Sequence, residues 1–469
     1  VYLECVSAVG QCGNQVGCRF WDLALQEHAS VNKSGIYDEA LSSFFRNVDS
    51  RKSDGGACCV GGEIQNLKAR AVLVDMEEGV LSEILQGPLK EVFDSNQLLK
   101  DASGSGNNWA VGHMTYGSIH REAMVDLLRR AAEHCDCLQC FFLLHSMGGG
   151  RHAIYHIPKH VKHPFSSAYP VSDRRGSILS REAQTSLSLS LGPALLGESQ
   201  GVLWPGERQS LYRVLGLPLG LLPVGRARKT SPGRSRRHPD QMPEPPQLFF
   251  LVLYVCFLFC SSTRFEGSLN MDLNEIAMNL VPFPRLHYLV PSLTPLYSLA
   301  DVSIPTKRLD QMFSDAFSKD HQLIRANLKH SLFLASALMV RGDVHMSDLR
   351  RNIERLRSSL PFVSWNQEGW KTGLCSVPPV GHSHSMLALS NNTCVKATFM
   401  ELRDSFTKLY KKKAHLHHYL HVDGMEQSIF SEALSSLTGL IEDYHHLDVS
   451  KSRLQRDTPR LRIATGSSS

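Results

Sequence analysis

The chain has 469 residues, 42% hydrophobic and 20% charged, which suits a sizeable core over two or three domains and excludes whole-chain disorder. Twelve cysteines are too dilute for a disulfide scaffold, and with no secretory leader visible they read as reduced intracellular thiols. The formal charge of +5 is unevenly spread: between Arg151 and Pro246 there are 14 Lys and Arg against 6 Asp and Glu, so the remainder is net negative.

The chain opens on Val1 rather than Met, and its true start is expected upstream. Val6-Ser7-Ala8-Val9 reads as a short strand running into a glycine turn, Gly10 to Gln15, after which Val16, Phe20, Leu23 and Leu25 recur at roughly helical spacing. Ala71 to Asp75 is a second buried strand, ending on a carboxylate. From Arg121 to Glu133, Met124, Leu127, Leu128 and Ala131 alternate with charges as in an amphipathic helix. Phe141 to His145 is a third apolar run, followed by glycines. Strand, turn and helix in alternation predict an α/β fold with a parallel sheet, whose ligand would sit at the carboxyl ends of the strands.

Residues 151–262 differ in texture. They hold 12 of the 22 prolines by Pro246, an alternating Leu187-Ser188-Leu189-Ser190-Leu191 and a basic cluster from Arg226 to Arg237. This composition favours a low-complexity insert or long linker. The basic cluster lacks interleaved aromatics, so no nucleic-acid partner is expected. Leu248 to Cys260 is uncharged but short of the ~20 residues a spanning helix needs, so no membrane partner is expected either. Globular texture returns at 263. Ser347 and Asp348 are expected to cap a helix carrying Leu349, Ile353 and Leu356 on one face. Thr398 to Glu401 reads as a capping box opening a helix that ends on Lys411-Lys412-Lys413. Ile429, Ala433, Leu437, Leu440, Ile441 and Tyr444 mark another amphipathic helix before a loose tail.

Glycine turns after strands can bind phosphate, because backbone N–H groups approach the anion with no Cβ in the way. Three candidates stand at strand ends: Gly10 to Gln15, Gly104 to Asn108, and Ser146-Met147-Gly148-Gly149-Gly150. Asp75 and Glu77 follow another strand, where a phosphate-bound Mg²⁺ finds ligands; the bland reading is a helix start stabilised by acids. His134 with Cys135, Cys137 and Cys140 has a zinc-like composition without paired CxxC spacing, and reads as buried structural thiols. His415, His417, His418 and His421 read as a surface for protein contact.

Longer words now converge. GQCGNQ at 10–15, GSGNNWAVGH at 104–113, SMGGG at 146–150, RFEGSLNMDLNEIAMNLVPFPRLHYLV at 264–290 and KKKAHLHHYLHVDGME at 411–426 resemble the tubulin family. FFRNVDSR, SWNQEGWKTGLCSVPPVGHSHS and KKKAHLHHY look most like its epsilon branch. The resemblance implies a parallel-sheet GTPase domain at 1–150 and 263–285, interrupted by an aberrant segment at 151–262. A smaller α/β domain would follow at 286–390, carboxyl-terminal helices at 391–450 and a tail at 451–469. It also implies that GTP and Mg²⁺ bind: Gly10, Gln11, Cys12, Gln15, Asn107, Ser146, Gly148, Gly149 and Gly150 would surround the nucleotide, with Asp75 and Glu77 beside the metal. Hydrolysis in the family is completed between subunits, and Glu275, with Asp272 nearby, matches the acid brought to the neighbour's nucleotide. The implied role is structural, in centriole and basal-body microtubules of the cytoplasm, cytoskeleton and centrosome. The implied partners are delta-tubulin, α/β-tubulin and centriolar microtubules.

The family's phosphate loop continues after the glycines with threonine, glycine, serine and glycine, where this chain reads Arg151-His152-Ala153-Ile154. Nothing tubulin-like follows until Thr263, and the span that should carry two strands, several helices and the ribose and guanine contacts is replaced. The edges are abrupt, as in a substitution by foreign translated sequence. Weak or absent nucleotide binding is therefore expected, and the rival reading is a nucleotide-independent scaffold.

Overall fold

A computed structural model describes residues 3–48, 60–101, 104–106, 108–135, 138–145, 264–265, 267–271, 273–295, 308–322, 327–379 and 382–457. The expected insert, with its basic cluster and Leu248 to Cys260, lies outside them.

The amino-terminal part runs β1 (Leu3–Val9), α1 (Gly10–Val31), α2 (Glu39–Ser42), β2 (Phe45–Asn47), β3 (Leu67–Ala69), β4 (Ala71–Asp75), α3 (Glu78–Gln86), β5 (Leu98–Lys100), α4 (Gly117–Ile119), α5 (Arg121–Glu133) and β6 (Leu138–His145). Four strands form a parallel sheet in the order β5-β4-β1-β6. All five residues of β4 are buried, as an unbroken apolar strand covered on both faces requires. On one face α1 buries Val16, Phe20, Trp21 and Ala24, with Phe20 edge-on to Phe44 at 5.1 Å and Trp21 edge-on to Phe93 at 5.1 Å. On the other, α5 sets Met124, Leu127 and Leu128 against Cys5, Val9, Val72 and Val74.

Gly10 to Gln15 is not a turn, as the sequence suggested, but the first turn of α1. The reversal from strand to helix is made at one residue, Gly10, with φ +68°; a side chain there would be strained.

The second part comprises α6 (Leu273–Leu280), β7 (Leu289–Thr294), α7 (Leu309–Ala316), β8 (Phe333–Arg341), α8 (Met346–Ser359), β9 (Trp370–Cys375) and β10 (Ser385–Asn392). Its mixed sheet has the order β7-β10-β8-β9, with β10 antiparallel to both neighbours and β8 parallel to β9. The two-residue strand period sorts its side chains. Ala335, Ala337, Met339, Leu387 and Leu389 join the core of the first part through Ile276 and Leu280 of α6. Leu334, Leu338, Val340, Met386 and Ala388 face a second core closed by α7 and α8 and by two carboxyl-terminal helices, α9 (Val395–Lys411) and α11 (Gln427–Asp457). Between those two lies the short α10 (Leu416–Leu420).

Two expected helix starts are displaced. α8 begins at Met346 after His345, with no side-chain cap, so Ser347 lies inside its first turn. α9 begins at Val395, which places Thr398 within the helix and leaves the capping box unformed. The chain leaving β10 turns early because Asn392 Oδ1 accepts from the Cys394 N–H at 2.8 Å; this tertiary turn overrides the local signal. α11 continues to Asp457, beyond the point where the tail was expected.

The two parts are joined by a buried ion triad. Glu27 of α1 has no exposed side-chain surface; its Oε2 accepts from Arg264 Nη1 at 2.9 Å, and its Oε1 pairs with Arg341 Nη2 at 2.6 Å. Phe265 lies under both guanidiniums, at 4.9 and 5.7 Å. Arg264 Nη2 donates further to the Ala24 carbonyl, and Arg341 Nε to that of Val377. These added bonds are what a buried pair needs to offset desolvation.

Candidate nucleotide site

Because β1 and β4 are parallel neighbours, with Val9 opposite Val74, their carboxyl ends deliver Gly10 and Asp75 side by side. Asn14, fully buried on the first turn of α1, fixes this junction. Its Nδ2 donates to the Gly10 and Val74 carbonyls, each at 3.0 Å. The start of α1 carries no side-chain cap, so the N–H groups of a 22-residue helix remain available to an anion. Gln11 and Gln15, one turn apart, are exposed on this turn. Cys12 lies between them on α1.

Asp75 is buried and its Oδ1 accepts from the Glu77 N–H at 3.2 Å, while Glu77 is the extended residue that precedes α3. The next acid, Glu78, pairs with Lys100 of β5, which holds its carboxyl below the usual carboxylate range. Glu77 instead lies against Gly104, where any Cβ would strike its carboxylate. The glycine loop thus closes over Glu77 because it has no side chain there. The loop is pinned at both ends: Asp101 meets His120 Nε2 at 2.8 Å, and Asn108 Oδ1 accepts from the Ala110 N–H at 2.9 Å. Asn108 Nδ2 also donates to the His418 carbonyl at 2.9 Å, which seats α10 beside the loop.

The structure therefore sets Gly10 beside Asp75, with Gln11, Cys12 and Gln15 following Gly10 at the start of α1 and Glu77 two residues after Asp75. Asn107, Ser146, Gly148, Gly149, Gly150 and Asp272 lie outside the described residues; β6 is described as far as His145, which pairs with Val9 of β1. Glu275 stands apart from this group, on α6, paired with Lys371 of β9. Sequence reasoning missed two residues here. Asn14 was visible inside GQCGNQ as a polar residue among apolar helical positions, whereas Lys371 gave no signal, being 96 residues from its partner. Among the described residues no group of three or more His, Cys, Asp or Glu is placed to hold a metal ion, and no helix is long and apolar enough to cross a membrane. Cys135 is half-buried rather than buried as expected, because it sits just past the end of α5, where its thiol accepts from Arg70; Cys137 lies outside the described residues, as does the side chain of Cys140.

Two family profiles match this chain: the GTPase domain of the Tubulin/FtsZ family over residues 5–151, and the tubulin C-terminal domain over residues 284–404. The tubulin epsilon chain of Mus musculus is 57% identical over 477 residues, covering 98% of this chain and 99% of that protein. The tubulin epsilon chain of Homo sapiens is 56% identical over 476 residues with the same coverage. The tubulin beta-3 chain of Echinococcus multilocularis is 30% identical over 447 residues, 93% of each chain. With parallel strand ends that present an uncapped helix and two acids, and with this similarity along its length, the chain belongs to the tubulin family, in its epsilon branch.

Proposed function

We propose that this chain is a structural tubulin that retains the phosphate side of the family's nucleotide site but holds GTP weakly or not at all. The family is GTP-binding and cytoskeletal, and the role of the epsilon branch is structural, at centriolar microtubules in the cytoplasm. Its partners are other tubulin chains, among which we propose delta-tubulin and α/β-tubulin.

The observation that carries the phosphate half of this reading is the Asn14 bridge between Gly10 and Val74, which sets the uncapped start of α1 beside Asp75 and Glu77. These groups fit a nucleotide: backbone N–H groups and the Gln11 and Gln15 side chains would take phosphate oxygens, and the two carboxylates would take Mg²⁺. The metal, when bound, neutralises charge on the phosphates. Glu275 would act on a neighbouring subunit's nucleotide, consistent with its place on α6 beside Lys371 rather than among these residues. The weakness follows from the sequence after Gly150. Arg151-His152-Ala153-Ile154 removes the small residues whose backbone would extend the phosphate loop, the GTPase profile ends at residue 151, and no ribose or guanine ligand can be named in the span that follows. One arginine does not replace a loop of backbone donors.

Calorimetric titration of the full chain with Mg²⁺·GTP, with the thermal midpoint recorded beside it, tests this. We expect no saturation in the micromolar range and a midpoint unmoved by nucleotide. Low-micromolar or tighter binding with a raised midpoint would mean that residues 151–262 complete a working site.

A further inference from the structure

Among the described residues, the strongest charged feature outside the nucleotide site is the run Lys408 to His421. It holds Lys408, Lys411, Lys412 and Lys413 and His415, His417, His418 and His421, with no acid between Asp404 and Asp423. All eight side chains are exposed. Among the described residues no ion pair engages any of the four lysines, whereas Lys100, Lys371 and Lys396 are each paired with a carboxylate. Among the described residues this charge meets no carboxylate, and it faces outward.

The run is also rigidly presented. Phe406 and Tyr410 of α9 stack with Phe430 of α11 at 6.4 and 5.9 Å, and Tyr419 of α10 meets the same ring edge-on at 5.7 Å. Tyr410 Oη accepts from Gln427 Nε2 at 3.2 Å. Leu416 and Met425 are buried, and the Asn108 bond to the His418 carbonyl ties the far side to the glycine loop. Among the described residues the two non-glycine residues with positive φ both fall in this run, Lys413 at +50° and His415 at +58°. A strained backbone held by packing that turns charged side chains to the surface points to a use for them.

The geometry points to a docking surface for a glutamate-rich polypeptide segment that also carries apolar side chains. Charge complementarity supplies steering. The apolar component follows from Leu409 and Leu420, which are 44% and 40% exposed within the same run. A phosphate backbone has nothing to offer them. Two further features favour an acidic polypeptide over nucleic acid. The run contains no arginine, the side chain suited to bidentate phosphate contacts. Its tyrosines stack within the chain rather than standing free for bases.

Fluorescence anisotropy of a labelled Glu-Glu-Leu repeat peptide with the full chain provides the test, with a Lys-Lys-Leu peptide and oligothymidylate as alternatives. The glutamate peptide should bind and weaken several-fold between about 50 and about 300 mM salt, since exposed charges are screened over about 8–10 Å. The charge-reversed triple variant K411E/K412E/K413E should bind at least about tenfold more weakly, and K411Q/K412Q/K413Q should fall between it and the unaltered chain. The lysine peptide should not bind. The assignment is overturned if the glutamate peptide fails to bind, if both triple variants bind it as well as the parent, or if oligothymidylate binds more tightly and displaces it. The salt and peptide-sign comparisons use the unaltered chain, so they hold whatever the variants do to folding.

Discussion

In β8 and β10 every residue is buried, whereas at the carboxyl ends of β1 and β4 the chain passes within two residues from buried Val9 to exposed Gln11 and from buried Asp75 to exposed Glu77. The second sheet uses both faces for packing, one toward α1 and α6 and the other toward α7, α8, α9 and α11. In the first sheet β4 and residues 5–9 of β1 are just as buried, but the carboxyl ends of these strands are given over to polar groups held by a few hydrogen bonds, above all those of Asn14. The contrast separates redundant stability, spread over many side chains, from a site whose shape depends on a few. Between the two lies the Glu27 triad, which is buried like the first kind and irreplaceable like the second.

Removing that acid should have the largest effect. Glu27→Ala leaves two guanidiniums buried with no counter-charge, a loss of about 3–5 kcal/mol. Because Arg264 and Arg341 belong to segments on either side of the junction, scanning calorimetry should show the first sheet losing its coupling to the second. If the variant melts like the parent, the triad is not the joint proposed here. Next comes Leu338→Ala, in the middle of β8 on the face toward α8 and α11. A cavity among so many apolar neighbours should cost about 2–5 kcal/mol, and it should lower the transition of the second part while leaving the Asn14 junction formed. Should Leu338→Ala prove more damaging to the first sheet than Glu27→Ala, the division drawn above is misplaced.

The difference also explains what could be read from sequence. β4 and α5 were legible to the residue, because an unbroken apolar run and an amphipathic period are local signals. The strand-end clustering of Asp75, Glu77 and Gly10 followed from the alternation of strand and helix. The exact starts of α8 and α9 were not legible: α8 begins at Met346 without a side-chain cap, ahead of Ser347, and the start of α9 follows the turn of β10 through Asn392 rather than Thr398. The triad and the Glu275–Lys371 pair were invisible for a related reason: Glu27 lies 237 residues from Arg264, and nothing local marks either as a partner.

The smallest expected effect is a pH dependence at the same junction. His28, adjacent to Glu27, is buried, and burial lowers its pKa below the ordinary value of 6.5; Asp38, 3.5 Å from Nδ1, pulls it up and the Arg264 guanidinium pushes it further down. The folded chain therefore holds this imidazole neutral where the unfolded chain would protonate it. Above about pH 6.5 both states are neutral and the residue costs nothing. As pH falls below that value the unfolded state binds the proton first, so stability declines until the folded pKa is reached. The thermal midpoint should drop on acidification from pH 7 to pH 5, and His28→Gln should remove part of that slope while leaving the Glu27 triad intact. An unchanged slope in the variant would assign the acid sensitivity elsewhere and leave Glu27, already committed to two arginines, as the only ionisable group of α1 on which the junction depends.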